Sequence, residues 1–198
     1  MTVAIVEYNA GNIYSVVNAL KRLGIEPVLT HDAEILQKAD RVLFPGQGEA
    51  RTTMASLKSH RLDEVIRSLR QPVLGICVGQ QLMCKHSDEG DVDCIGIFDL
   101  PVLRFQPQRH VDKVPAMGWN ALKELKTPLF DGLKDGDDYA YFVHSYYVPQ
   151  CEYTIATADY IQPYSAALHK DNFYATQFHP EKSGRVGETI LRNFLEIK

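Results

Sequence analysis

The stretch that decides the fold is Pro72-Val-Leu-Gly-Ile-Cys77-Val-Gly-Gln-Gln-Leu-Met83. An apolar run leads directly into Cys77, which is flanked by Gly75 and Gly79, and a helix-forming segment begins at once. A strand that turns this sharply into a helix is the sulfur counterpart of the G-x-S-x-G nucleophile elbow. Glycine suits such a turn because neighbouring backbone must come close. A cysteine placed there meets the free N–H groups and the positive dipole end of the helix, which favour a thiolate. A thiol with an ordinary pKa of about 8.5 gains reactivity from that placement. The plainer alternative is a core cysteine at a strand end, since buried cysteines are common. Cys84, Cys94 and Cys151 lack this context. Cys84 is expected on the packing side of the same helix or in solvent, with no role.

Outward from this segment the chain alternates between two patterns. Residues 2–7 read as a buried strand, followed by a helix over about 13–23 that ends at Gly24. Residues 27–30 and 41–44 read as strands, the second stopping at Pro45-Gly46. An amphipathic stretch over about 53–69 then leads into the strand 72–77. Strands that are apolar throughout, alternating with helices, predict an α/β fold whose parallel sheet is covered on both faces. Residues 94–153 are rich in aromatics, Pro and Gly with little helical periodicity, which predicts antiparallel strands and loops beside the parallel core. Residues 139–148, 154–158 and 173–178 fit strands. A closing helix over 184–195 has Ile190, Leu191, Phe194 and Leu195 as its apolar face. No repeat, low-complexity segment or linker interrupts the chain, so one domain over residues 1–198 is expected.

Composition narrows the function classes. With 45% hydrophobic and 23% charged residues, the chain can bury a real core. A net charge of −4 argues against nucleic acid as the main partner, because a phosphate-tracking surface carries a basic excess. No run approaches the roughly 18–20 apolar residues needed to cross a bilayer. The N-terminal residues lack a basic region and meet Asn9 and Gly11 too early for a signal peptide. The 4 cysteines form no C-x-x-C pair and no zinc pattern, so reduced thiols in the cytoplasm, without metal or cofactor, are expected.

A thiolate that attacks an amide needs a proton donor for the departing amine, most often histidine. The run Ala175-Thr-Gln-Phe-His179-Pro-Glu181-Lys-Ser183 offers one at the end of an apolar strand, with Pro180 stopping the strand. Ligands collect at the carboxyl ends of strands in open α/β sheets, so Cys77 and His179 can meet there although they are far apart in sequence. Glu181 can accept the other imidazole N–H, as the acid of a Ser-His-Asp triad does. The plainer alternative is a surface histidine beside a turn and a glutamate favouring a helix dipole.

Taken together, Gly75-Ile-Cys77-Val-Gly79-Gln-Gln81 and His179-Pro-Glu181 resemble the class I (triad) glutamine amidotransferase family. The likeness spans almost the whole chain and implies the flavodoxin-like fold of that family, a mostly parallel sheet flanked by helices with an added antiparallel section. Within the family the chain is most similar to the glutaminase subunits of imidazole glycerol phosphate synthases. That likeness rests on Tyr8-Asn-Ala-Gly-Asn-Ile13, Phe44-Pro-Gly-Gln-Gly-Glu49, Val114-Pro-Ala-Met-Gly-Trp-Asn120, Tyr141-Phe-Val-His-Ser-Tyr146 and His179-Pro-Glu-Lys-Ser183. Gln47 and Gln80 depart from the apolar residues expected at those places.

The resemblance implies that Cys77, His179 and Glu181 hydrolyse glutamine through a thioester. It places the oxyanion among Gly46, Gln47, Gly48 and the Val78 N–H, with glycines around Gln47 that would permit a peptide flip. Gln81 and Glu89 match positions that hold the α-carboxylate and α-amino ends of glutamine, closed by backbone near Ser145 and Tyr146. The resemblance further implies a heterodimer with a separate (β/α)₈-barrel cyclase subunit, which takes ammonia through an internal channel. That subunit converts the ribonucleotide PRFAR into imidazole glycerol phosphate and AICAR in histidine biosynthesis. Asn12, Trp119, Asn120, Tyr141 and Lys182 match the interface and gate region; Trp119 is the chain's single tryptophan, in a loop-like setting. The rivals are glutaminases serving anthranilate, pyridoxal phosphate or purine synthesis, a cysteine peptidase of similar fold, and a non-catalytic binding module.

Overall fold

The computed structural model describes residues 1–8, 13–46 and 48–197. The expected roles of Asn12 and Gln47 therefore lie outside the described residues. The first half runs β1 (Val3–Val6), α1 (Tyr14–Arg22), β2 (Val28–Thr30), α2 (Ala33–Lys38), β3 (Arg41–Gly46), α3 (Ala50–Ser59), α4 (Leu62–Ser68), β4 (Val73–Cys77) and α5 (Val78–Met83). Short strands follow: β5 (His86–Ser87), β6 (Val92–Asp93), β7 (Pro101–Arg104), β8 (Ala116–Ala121), β9 (Tyr139–His144) and β10 (Tyr146–Tyr147). The chain then adds β11 (Thr154–Tyr160), β12 (Gln162–Lys170), β13 (Phe173–Thr176) and α6 (Gly184–Glu196).

The main sheet has the order β11-β12-β13-β4-β3-β1-β2. Strands β2, β1, β3, β4 and β13 pair in parallel, in the order of doubly wound sheets, with the switch point between β1 and β3. β12 and β11 continue the sheet antiparallel from β13. All residues of β1, β4 and β13 are buried, which is why these strands read as unbroken apolar runs rather than alternating ones. On α6, Val186, Ile190, Leu191 and Phe194 are buried together, one stripe of the helix turned inward. Two smaller sheets, β10-β7-β5-β6 and β8-β9, form the section beside the parallel core, and their pairs are antiparallel except β5–β7. No helix among the described residues is long and apolar enough to cross a membrane.

Five expectations need correction, the first being the strand 139–148, which is two strands, β9 and β10, in different sheets. β3 does not stop before Pro45 but runs on to Gly46, paired with Cys77. The amides of β3 alternate between neighbours, and Val42 N–H donates to the β4 side at Pro72 O. The nitrogen of Pro45 therefore faces β1, whose pairing with β3 has already ended at Leu43, so no ladder bond is lost. The stretch 53–69 is two helices, broken where Arg61 takes φ 55°. His179 is not carried on the strand, which ends at Thr176. Trp119 stands in β8 rather than in a loop. The elements α2 and β12 were not anticipated; Asp32 caps α2 by accepting from the N–H groups of Glu34 and Ile35.

Candidate active site

The parallel register brings three chain segments to one end of the sheet. Gly46 pairs with Cys77 across β3 and β4, and Thr176 pairs with Ile76 across β4 and β13. Cys77 takes φ 55° and ψ −110°, a conformation rarely tolerated by a residue with a Cβ. This is the strained elbow that the glycine pattern predicts. A Cβ on Gly79 would overlap the carbonyl of Phe44, so β3 can lie against the start of α5 only because residue 79 is glycine. On the far side of Pro45, the hydroxyl of the buried Tyr8 donates to Pro45 O at 2.6 Å. Sequence reasoning singled out Tyr8 only as part of a motif; its effect here is to hold the end of β3.

His179 reaches the same place from a fixed backbone. Its N–H donates to Tyr141 O at 2.9 Å, and its carbonyl accepts from Ser183 Oγ at 2.7 Å. Ser183 Oγ also accepts from Tyr141 N–H at 2.9 Å, so one buried hydroxyl fastens β9 to the turn that carries the histidine. The 3-10 turn Pro180–Lys182 then points Glu181 back, and its Oε1 lies 2.8 Å from His179 Nδ1. Both side chains are almost wholly buried. The other ring nitrogen, Nε2, is buried and without a hydrogen-bonding partner among the described residues, and His179 lines the same cavity as Cys77.

Burial by itself lowers the pKa of His179, but the neighbouring Cys77 and Glu181 outweigh it and hold the imidazole up at about 9. Because this folded-state pKa lies above the ordinary 6.5, the protonated ring contributes stability that is fully present below about pH 6.5. That contribution is lost as pH rises through about 9. In a pH titration followed by NMR, His179 is expected to keep its proton to about pH 9. Glu181→Gln is expected to lower that midpoint by about one unit or more. A native midpoint near 6.5, unmoved by Glu181→Gln, would show that the two groups are not coupled as the geometry states.

A cavity of about 350 Å³ opens on these groups. It is lined by the expected residues Gly48, Cys77, Val78, Gln81, Glu89, Ser145, Tyr146, His179 and Lys182. Pro115, Val143 and His144 also line it and had not been singled out as site residues. Glu181 sits behind His179, and Gly46 lies beneath as the ladder partner of Cys77. Glu89 is half-buried, with its pKa raised by that burial, and its carboxylate accepts from Ala50 N–H at 2.9 Å. Gln81 Nε2 donates to Tyr146 O at 3.1 Å and to Gln177 Oε1 at 3.0 Å. Both of its N–H groups are thus engaged within the protein, which leaves Gln81 its oxygen, an acceptor, for any ligand. His144 is buried, burial lowers its pKa to about 4, and its Nδ1–H donates to the same Tyr146 carbonyl at 2.7 Å.

Cys84 and Cys94 are buried, as Cys77 is, whereas Cys151 is half-buried. All 4 are free thiols. Burial raises the pKa of Cys84 well above its usual value and pushes that of Cys94 up to about 12. Cys84 is fully buried, which settles its two expected placements in favour of packing.

The remaining expected residues lie on and around the β8–β9 sheet. Met117, Trp119 and Ala121 face Val143, Tyr141 and Tyr139 across the ladder, so these six share one side. Met117 (67%), Trp119 (58%) and Tyr139 (50%) are exposed there, while the other side buries Ala116, Ala140 and Phe142. Trp119 and Tyr141 meet edge to face with centroids 6.1 Å apart. Asn120 turns to its own chain, donating to Asp159 O at 2.8 Å, and Lys182 is exposed at the cavity mouth.

A strained cysteine on a strand-to-helix elbow thus shares a small cavity with a buried His–Glu pair. The model of the class-I glutamine amidotransferases matches residues 4–197, and the chain belongs to that family. More narrowly, the chain is 64% identical over 197 residues to the imidazole glycerol phosphate synthase subunit HisH of Bacteroides thetaiotaomicron, covering 100% of both chains. It is 63% identical to the HisH subunit of Bacteroides fragilis, again covering 100% of both. A crystal structure of a glutamine amidotransferase superposes with a TM-score of 0.74 at 22% identity, covering 99% of this chain and 98% of that one, and shares the fold.

Proposed function

We propose that this chain is the glutaminase subunit of an imidazole glycerol phosphate synthase, and that it works as one domain with Cys77 as its nucleophile. The observation that carries the reading is the buried His179–Glu181 pair, 2.8 Å apart, facing Cys77 in the cavity. The HisH relatives, similar over the full length of both chains, supply the pathway.

In this reading Cys77 Sγ adds to the side-chain amide carbon of glutamine, and the carbonyl electrons move onto oxygen. The oxyanion takes hydrogen bonds from the Val78 N–H and from the peptides of residues 46–48. His179 Nε2–H gives its proton to the amide nitrogen as the C–N bond breaks, so ammonia leaves and a thioester remains. The neutral imidazole then takes a proton from water, whose oxygen attacks the thioester and expels the thiolate with glutamate. Glu181 stabilises the imidazolium that is present before ammonia departs and again once water has been deprotonated. At the other end of the substrate, Glu89 and the free oxygen of Gln81 present acceptors, which suit the α-ammonium. Because both N–H groups of Gln81 are engaged, the α-carboxylate is left to the backbone near Ser145 and Tyr146.

Ammonia from this site needs an acceptor protein. The exposed Met117, Trp119 and Tyr139 lie on the same side of the β8–β9 sheet as Val143, which lines the cavity. An apolar, aromatic surface continuous with a reaction cavity suits docking of a partner over the cavity mouth. The partner in this reading is the (β/α)₈-barrel cyclase subunit, with Asn12, Trp119, Asn120, Tyr141 and Lys182 at the interface and gate. Glutamate release is expected to be slow for the isolated chain. It is expected to rise on the order of ten- to a hundredfold when the purified cyclase subunit and PRFAR are added. Brisk hydrolysis indifferent to that partner would assign the chain to a different biosynthetic synthase.

A further inference from the structure

Gln177 is fully buried between the end of β13 and His179, and its side chain closes a hydrogen-bonded series that ends at the cysteine sulfur. The series starts at a group whose polarity cannot be reversed. Tyr146 O, a backbone carbonyl, only accepts, and it takes both the His144 Nδ1–H and a Gln81 N–H. That fixes which end of the Gln81 amide carries nitrogen. Its second N–H points at Gln177, so the Gln177 atom 3.0 Å away must be oxygen. The amino group of Gln177 is thereby turned the other way, to 3.9 Å from Cys77 Sγ. The backbone cannot drift to undo this, because Gln177 N–H is bonded to Ala166 O at 2.8 Å.

The sulfur has a second polar neighbour, Val143 O, also at 3.9 Å. A carbonyl oxygen accepts only from the thiol, whereas an N–H donor favours the thiolate. We propose that Gln177 is a further catalytic residue of the amide hydrolysis, whose Nε2–H donates to the Cys77 sulfur and favours its thiolate. The same amide fixes Gln81 so that its oxygen, not its nitrogen, faces the substrate. The interaction is stronger with a thiolate than with the acylated sulfur, because donors bind a charged acceptor more tightly. It therefore assists deacylation as well, when the thiolate leaves. This inference rests on the reading of Cys77 as the nucleophile.

Gln177→Glu separates the two effects, since the carboxylate keeps an oxygen for Gln81 and loses the N–H toward sulfur. Gln177→Leu removes both and buries no charge. Carbamidomethylation of Cys77 by iodoacetamide, followed at neutral pH by peptide mass, is expected to slow about tenfold in both variants. The pH at which alkylation reaches half its plateau is expected to rise. For glutamine hydrolysis in the complex, Gln177→Glu is expected to lower kcat about tenfold with KM within about twofold of native. Gln177→Leu is expected to raise KM as well. Circular dichroism identifies the folded variants; should Gln177→Glu not fold, the leucine variant decides. A folded variant that alkylates at the native rate with a native pH midpoint overturns the proposal. Alkylation reports on the sulfur whether or not it is the nucleophile, whereas hydrolysis by Cys77→Ala tests that reading separately.

Discussion

Cys77→Ala is expected to lower glutamine hydrolysis by at least about 10³-fold, in the complex as in the isolated chain, and to leave the fold standing. No neighbouring group is placed to replace the sulfur. His179 Nδ1 is committed to Glu181, and although His144, Ser145, Tyr146 and Lys182 also line the cavity, none of them stands at the elbow where β4 meets α5. What survives is the ability of the cavity to orient glutamine and polarise its amide, which in other triad enzymes leaves only a small residual rate. The backbone at residue 77 has a φ of 55°. Alanine carries a Cβ just as cysteine does, so the strain of the elbow is neither relieved nor increased. The sulfur's hydrogen bonds to Gln177 and Val143 are long, 3.9 Å each, and its loss leaves a gap of about one atom. Glutamate release and thermal unfolding measured on the same preparation decide the matter. Hydrolysis that persists in the folded variant would end the case for Cys77 as nucleophile.

The elbow was legible because everything that makes it is local. The apolar strand, the cysteine and the two glycines lie within one short run, and the close approach of Gly79 to Phe44 O explains the glycine directly. Glu181 and His179 are likewise near neighbours in sequence, so their pairing needed only a turn between them. What stayed hidden depends on residues without local punctuation. The helix break at residue 61 uses an arginine at φ 55°, and the β11–β12 hairpin turns at Ile161 with φ 49°, where a glycine or asparagine would have marked it. α2 did carry a signal, Asp32 ahead of Ala33-Glu34-Ile35, but the helix is too short for periodicity to announce it. Gln177 was invisible for another reason. Its partners, Gln81 and Cys77, lie about a hundred residues away, and the direction of its amide is dictated by a carbonyl at Tyr146. The exposed side of β8–β9 shows the same limit: Trp119 drew notice as a lone tryptophan, while Met117 and Tyr139 joined it only once the register was known.

Gly187→Ala tests how tightly the turn that carries Glu181 is held, and its expected effect is large although the residue lies outside the cavity. Gly187 stands in the first turns of α6, where its N–H donates to Ser183 O at 3.2 Å. The turn Pro180–Lys182 packs directly on it. A Cβ there would overlap Pro180 O and lie 2.6 Å from Pro180 C and 3.0 Å from its Cα. Ordinary carbon contacts are about 3.5–4.0 Å, so the turn must retreat by something on the order of one ångström. Pro180 O is bonded to Ser183 N–H at 3.0 Å, and Ser183 Oγ holds the carbonyl of His179, so the retreat cannot be absorbed at a loose end. It passes to Glu181, whose bond to His179 Nδ1 is 2.8 Å and is lost beyond about 3.2 Å. Overpacking of this kind costs about 1–3 kcal/mol of stability, and a misplacement of about 1 Å in a catalytic group costs about 10²-fold in rate. The variant is therefore expected to fold, to melt several degrees lower, and to lose about 10²-fold in kcat. Adding Glu181→Gln to Gly187→Ala should then lower the rate by much less than the same change does in the native chain, because the carboxylate has already been taken from the histidine. If the two losses instead multiply in full, Gly187 acts on stability alone and the turn is not the path by which α6 sets the geometry of His179.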